Sequence, residues 1–269
     1  MSKSTLFFYF MVIISLSACK TDTKTTENST VTTPSNAPAV TVSSTADVEH
    51  KEVSRRQVDA NGKETVAAGY MIKYPSVKTG NAALTATVKK WVNEFVSGQA
   101  GFKEVLEPEA GYAPYVVLFR EALASNKELK AWELEIKDNI LYNTPKVLSL
   151  YMEAYTMYGG AHPSHTIQLN SFDPTTGEIL SLDKLVTNKN GLLALCEKIY
   201  RKDKAEAFKQ GFNFTKDSPF KLAKNFAIVP QGVMFYYNPY EIAPYAIGES
   251  EFTIPFSDLD KVMDLKKYL

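Results

Sequence analysis

Residues 147–158, VLSLYMEAYTMY, place Val147, Ser149, Tyr151, Glu153, Tyr155 and Met157 on one face of an extended segment, with Leu148, Leu150, Met152, Ala154, Thr156 and Tyr158 on the other. Both faces carry apolar and aromatic groups, so the segment fits a strand buried on both sides. Gly159-Gly160 tolerates positive φ and Pro163 removes a ladder donor, so the chain turns or bulges there. A second strand is predicted over 166–172, where Ile167 and Leu169 alternate with Gln168 and Asn170. Asp173-Pro174-Thr175-Thr176-Gly177 reads as a turn: Asp suits its first position, Pro presets φ at the second, and Gly accepts the left-handed conformation that closes it. A short third strand over 178–182 would complete a meander.

The flanking chain has the same mixed grammar. Asn61-Gly62 separates two β-rich runs, 52–58 and 64–74, a strong hairpin signal because both turn residues accept positive φ. Leu84, Val88, Trp91, Val92, Phe95 and Val96 recur at helical spacing over 81–97. A second helix is expected over 115–127, a half-buried strand at Trp132–Lys137, an amphipathic helix over 192–208, paired strands around Pro230-Gln231, a strand over 251–255 and a helical turn from Asp258. The sum is an α+β protein of two small units of antiparallel strands covered by helices, residues 49–140 and 141–269.

The first eighteen residues read as an export signal rather than as fold: Lys3 supplies a small positive region, and the apolar run 6–14 is too short to span a bilayer. Leu16-Ser17-Ala18-Cys19 resembles a bacterial lipobox, which makes Cys19 the acylated first residue of a mature lipoprotein. Residues 19–48 are rich in Thr, Ser, Asn and Asp with almost no large apolar side chain, so they cannot bury enough surface to order themselves. Such a tether lets the folded part stand off the membrane by roughly 25–35 Å. Cys196 is then the sole remaining cysteine, set among Leu192, Leu193, Leu195 and Ile199, and reads as a buried, inert thiol. Thirty basic and thirty acidic residues balance, so nothing marks a nucleic-acid partner.

Several residues together resemble a known family. Tyr158-Gly159-Gly160-Ala161-His162-Pro163, Asp173 with Thr176-Gly177, the 182–185 segment, and residues 235–243 (FYYNPYEIA) with Gly248 resemble the RsiV-like C-terminal domain, domain of unknown function 3298. The preceding hairpin, helix and Trp132 strand resemble its usual N-terminal partner, the PdaC/RsiV-like domain of unknown function 4163. The resemblance implies an extracytoplasmic module of the cell envelope. In RsiV such a module binds lysozyme as a signal, and in PdaC-type enzymes it accompanies a separate peptidoglycan deacetylase domain. Neither a sigma-binding segment nor a deacetylase domain is found in these residues, which read as the module alone on a lipid anchor.

Chemistry is sparse. His162 and His165 could offer two metal ligands, with Asp173 or Glu153 completing a site, the basis of an alternative reading as a metal-dependent envelope hydrolase acting on peptidoglycan. In an extended segment, however, spacing i, i+3 sends the two side chains to opposite faces, so His162 is expected to hydrogen-bond backbone at the turn and His165 to lie on the surface. Ser164 beside His165 lacks the strand-to-helix elbow of a hydrolase nucleophile. Glu153, a carboxylate within an apolar strand, needs a basic partner or a shifted pKa. Tyrosines near turns present stacking area and a hydrogen-bonding tip. The sequence therefore supports a binding or sensing module of the bacterial envelope over an enzyme, with no cofactor and no metal. The resemblance implies a peptidoglycan fragment or a lysozyme-like protein as the expected ligand, and the candidate ligand-binding residues are Tyr158, Gly159, Gly160, His162, His165, Tyr240 and Tyr245.

Overall fold

The computed structural model describes residues 45–57, 67–79, 81–126, 128–129 and 131–269. The export signal, Cys19 and the Asn61-Gly62 turn lie outside the described residues, as does the tether up to residue 44. Strands β1 (Asp47–Gln57) and β2 (Ala67–Thr79) pair antiparallel, so β1 starts inside the stretch expected to be tether. Helix α1 (Ala82–Ala100) is capped by the Asn81 side chain, which accepts from Ala83 N at 2.9 Å, and ends at Gly101 in the left-handed conformation. Helix α2 (Tyr112–Ser125) follows a 3-10 turn. With α1 it forms the crossover that brings β3 (Ala131–Asn143) parallel to β2, the one parallel pair of the sheet. Strands β4 (Leu148–Met157) and β5 (Ser164–Phe172) then add antiparallel, giving the order β1-β2-β3-β4-β5.

Short helix α3 (Leu182–Leu185), α4 (Lys189–Asp203) and α5 (Ala205–Lys209) lead to a second, antiparallel sheet of β6 (Asn225–Val229), β7 (Gly232–Tyr237) and β8 (Ser250–Pro255), followed by α6 (Phe256–Leu259). The fold is α+β, as expected. Among the described residues no helix is long and apolar enough to cross a membrane.

Several details differ from the sequence reading for identifiable reasons. Strand β2 runs through Pro75 instead of stopping there; β3 pairs with β2 only as far as Ile72, so one edge of β2 is open where the proline lacks its N–H. The boundary expected at residues 140/141 falls inside β3, and the first sheet continues through β4 and β5. Residues 178–182 form no third strand: Ile179 makes only an isolated bridge to Phe172, and the chain turns helical at Leu182. The helix expected to reach residue 208 breaks after Asp203, where Asp203 Oδ2 accepts from Ser250 Oγ at 2.6 Å and Lys204 Nζ donates to Glu249 O at 2.6 Å, tying the helix end to β8.

Three apolar clusters hold the layers. Leu84, Val88, Trp91 and Phe95 of α1 pack against Tyr70 and Ile72 of β2, Leu134 and Ile136 of β3, and Leu148, Leu150 and Met152 of β4. On the opposite face of the first sheet, Leu141, Tyr151, Ile167 and Leu169 meet Ala227, Val229, Met234 and Tyr236 of the second. Beyond that, Leu192, Cys196 and Tyr200 of α4 pack on Ile228, Phe235, Tyr237 and Ile254. The doubly covered strand inferred from residues 147–158 is thus β4, with Leu148, Leu150, Met152 and Ala154 buried on one face and, on the other, Ser149 buried and Tyr151, Glu153 and Tyr155 half-buried. Cys196 is fully buried, and burial pushes its thiol up to about 12. The Asp173 turn forms as read: Gly177 donates to Asp173 O at 2.8 Å with φ 74°, and Asp173 Oδ1 accepts from Thr175 N at 2.8 Å and Thr176 N at 3.2 Å. A Cβ on Gly177 would stand 2.5 Å from the Ala83–Leu84 backbone, so the turn packs directly on the start of α1.

Polar clips join the sheets at the outer edge of β5. Asn225 accepts from Leu169 N at 2.6 Å and donates to Ile167 O at 2.8 Å; Asn238 accepts from Ile167 N at 2.8 Å and donates to Ile167 O at 3.0 Å. Ser171 Oγ, 2.7 Å from Ser149 Oγ, accepts from Ile228 N at 2.8 Å. Removing one amide orphans an edge donor and weakens an edge acceptor, so Asn225→Ala should cost about 1–3 kcal/mol in urea unfolding. The neighbouring exposed Lys224→Ala should stay within about 0.5 kcal/mol. Equal effects of the two substitutions would contradict the clip.

Candidate functional site

The bend at residues 161–163 precedes β5 and so escapes strand alternation. For that reason His162 and His165 do not diverge to opposite faces: both line one cleft of about 290 Å³, closed on the other side by Asn238, Pro239, Tyr240 and Tyr245. His162, rather than bonding to the glycine turn, stacks on Tyr245 with ring centroids 6.3 Å apart and planes 24° apart. Tyr245 in turn lies 5.5 Å from Tyr240 at 30°. Both tyrosines are exposed, Tyr240 by 74%, and Tyr240 is the one non-glycine with positive φ (68°) among the described residues. The loop bearing it is anchored by the Asn238 clip and by Asn238 N, which donates to Glu241 Oε2 at 3.0 Å.

His165 is half-buried. Its Nε2 lies 2.6 Å from Glu153 Oε1, and Tyr151 donates to Glu153 Oε2 at 2.8 Å. His165 and Glu153 sit diagonally on the same face of β4 and β5, within reach of each other. Glu153 thus has both a partner pair, His165 and Tyr151, and a shifted carboxyl; Lys137, its neighbour across β3, adds only charge at a distance. Burial would raise the Glu153 carboxyl, but hydrogen bonds from His165 and Tyr151 and the nearby positive charge outweigh it and hold it below its ordinary value.

The other candidates lie elsewhere. Tyr158 is half-buried, stacks on Trp132 at 4.6 Å and donates to Gln99 O at 2.7 Å, which gives it a packing role. Gly159 has φ 73° and backs onto Leu129, whose side chain a Cβ would strike at 2.1 Å. Gly160 is exposed in the same bend. Of the residues considered for a metal, only His165 and Glu153 are in direct contact, while His162 shares the cleft with His165. Asp173 is engaged by Lys267 and two backbone amides, which outweigh its burial and hold its carboxyl low. Among the described residues no three His, Cys, Asp or Glu side chains converge.

One part-buried contact between titratable side chains escaped the sequence reading. His50 Nδ1 contacts Asp138 Oδ2 at 2.6 Å; Asp138 is buried with Oδ1 unpartnered, and burial, only partly offset by His50, raises its carboxyl. Nothing in the local pattern links residues 88 apart in sequence.

A pH dependence follows. Because Glu153 titrates below its unfolded value of 4.5, its contribution is present at neutral pH and lost as pH falls below about 4.5. Asp173 acts in the same sense and Asp138 in the opposite one. Glu153→Gln should lose less than about 1 kcal/mol at pH 7, since the pair is solvent-screened, and show a shallower acid decline in melting temperature between pH 5 and 3. An unchanged acid decline would exclude the pairing.

Residues 61–165 match the family model described as deacetylase PdaC, and residues 181–257 match that of a protein of unknown function (DUF3298). The Gly-Gly-Ala-His-Pro corner therefore falls in the first matched stretch, not in the second, as its resemblance had suggested. A crystal structure of a DUF3298-family protein from Bacteroides fragilis is 21% identical with a TM-score of 0.64, covering 82% of this chain and 95% of that one. A second, from Pseudomonas aeruginosa PAO1, is 17% identical with a TM-score of 0.57, covering 82% and 97%. No curated protein matches. The chain thus joins a PdaC-like stretch to a DUF3298-like stretch in the fold of DUF3298-family proteins.

Proposed function

We propose that the protein is a lipid-anchored, extracytoplasmic binding and sensing module of the bacterial cell envelope. It pairs a 4163-type with a 3298-type unit and takes a peptidoglycan fragment at the His162–Tyr245–Tyr240 cleft. The observation that carries this reading is Tyr240. A large aromatic side chain, 74% exposed on a backbone that disfavours any residue but glycine, serves no core and stands beside a second exposed tyrosine. Rings arranged in this way offer stacking faces and hydroxyl tips to a sugar or acyl-amide ligand. The cleft's volume, about 290 Å³, suits a small ligand better than the broad contact a lysozyme-like protein would need. Anchorage at Cys19 accords with a ligand met outside the cytoplasm.

Calorimetry with muropeptides and with lysozyme tests the ligand. Wild-type protein should bind muropeptides, and Tyr240→Ala should weaken that binding about tenfold, ~1.4 kcal/mol. Lysozyme binding without muropeptide binding would move the reading to a protein ligand. Stoichiometric zinc that disappears on His162→Ala would replace it with the metal-dependent hydrolase. Separately, Cys19→Ser should abolish incorporation of labelled fatty acid in a bacterial host; retained label would refute the anchor.

A further inference from the structure

The two edges of the first sheet are finished differently. At β5 the backbone groups of Ile167 and Leu169 are met by Asn225 and Asn238. At β1, the opposite edge, no strand among the described residues pairs with the outer side. Residues 48–57 run without a bulge, a glycine or a proline, so the devices that commonly shorten or bend an edge strand are missing. Ten such residues present an edge of roughly 33 Å to another chain.

Charges on an edge strand ordinarily turn other chains away. Several of those on β1 lean back over their own sheet instead: Glu49 meets Lys78 at 2.8 Å, Arg56 faces Glu133 at 3.6 Å and His50 meets Asp138 at 2.6 Å. The charge is also divided along the strand, with Asp47, Glu49 and Glu52 ahead of Arg55 and Arg56 and Lys51 between them. A parallel neighbour of the same sequence would set like on like, whereas an antiparallel one sets the acidic half against the basic half. We propose that β1 is the interface of a homodimer, in which β1 of a second copy adds antiparallel and joins the two five-stranded sheets into one.

Symmetry and charge together fix the register. The two-fold axis stands perpendicular to the joined sheet, so odd residues oppose odd and even oppose even, and the pair is centred on one residue that meets itself. Centring on Lys51, Glu52 or Arg55 sets that charge against its own copy, and centring on Val53 sets Lys51 against Arg55. Centring on Ser54 brings Glu52 opposite Arg56 twice and opposes no like charges within β1. Glu52, Ser54 and Arg56 share the face turned away from α1, so Arg56 would lie between Glu133 of its own sheet and the partner's Glu52. Ser54 O, which accepts from the exposed Arg55 Nη1 at 2.9 Å, is covered only by an arm that a strand can displace. This self-complementary order of charges selects a second copy over an unrelated strand.

Sedimentation of the full-length protein in detergent over a concentration series tests the pairing. The wild type should dimerise, and Glu52→Arg and Arg56→Glu, both at exposed positions, should each raise the dissociation constant at least tenfold. An equimolar mixture of the two variants should dimerise again, because it opposes unlike charges at both positions. Ser54→Cys should give a disulfide-linked dimer on mild oxidation, above the level of the wild type and of Lys51→Cys, since Ser54 alone meets its own copy; this arm decides if a charge variant fails to fold. A monomeric wild type, a dimer unmoved by the single substitutions, a mixture that stays monomeric, or equal cross-linking through Ser54→Cys and Lys51→Cys would each overturn the proposal.

Discussion

The outer edge of β5 is where this fold had a problem to solve. An edge strand exposes a row of backbone donors and acceptors that invites pairing with another chain. Here the row is met by two asparagine side chains, each supplying one acceptor and one donor, as a neighbouring strand would. Asn225 opens β6 and Asn238 follows β7, so the bonds that seal the first sheet also hold the second against it. The apolar contact of Ile167 and Leu169 with Ala227, Val229 and Tyr236 supplies area, while the amides supply register. The loop carrying Tyr240 begins at Asn238, which makes the cleft a by-product of the same seal.

That arrangement also explains why the polar chemistry collects at one end of β5. Strand alternation puts Glu153 and His165 on the face that looks toward the second sheet, where shielding is partial and a hydrogen-bonded Tyr151–Glu153–His165 chain can persist without full burial. The even-numbered side chains, Thr166, Gln168 and Asn170, turn toward α1 and line a depression of about 460 Å³ beside it, where Gln168 accepts from Trp91 Nε1 at 2.8 Å. Strand β5 therefore gives one face to the Glu153 contact of β4, through His165, and the other to an amide surface.

Much of this was legible locally. The period of α1, the alternation of β4, the Asp173 turn and the buried setting of Cys196 rest on interactions within a few residues, and they formed as read. What the sequence concealed was long-range. The parallel β2–β3 pair depends on a crossover that no local period announces, and the sheet consequently crosses the supposed unit boundary. In the site, His162, His165, Tyr240 and Tyr245 were picked out individually, but their convergence depends on Asn238 bonding Ile167 from 71 residues away. The i, i+3 argument that parted the histidines failed because residues 161–163 are a bend, not a strand. Tyr158 and Gly159 are held by packing, Tyr158 against Trp132 at the start of β3 and Gly159 against Leu129 in the loop before it, contacts that depend on the registry of β3 on β4 rather than on any local pattern.

The left-handed backbone at Tyr240 carries a consequence for how this position can vary. A non-glycine residue held there stores strain of order 1 kcal/mol, which a glycine would release. Selection for a sturdier fold alone would therefore erode the tyrosine, and selection for the ring would hold it against that drift. A glycine at this corner would give a firmer backbone without the exposed ring, so one loop residue sets the balance between ease of folding and the aromatic surface.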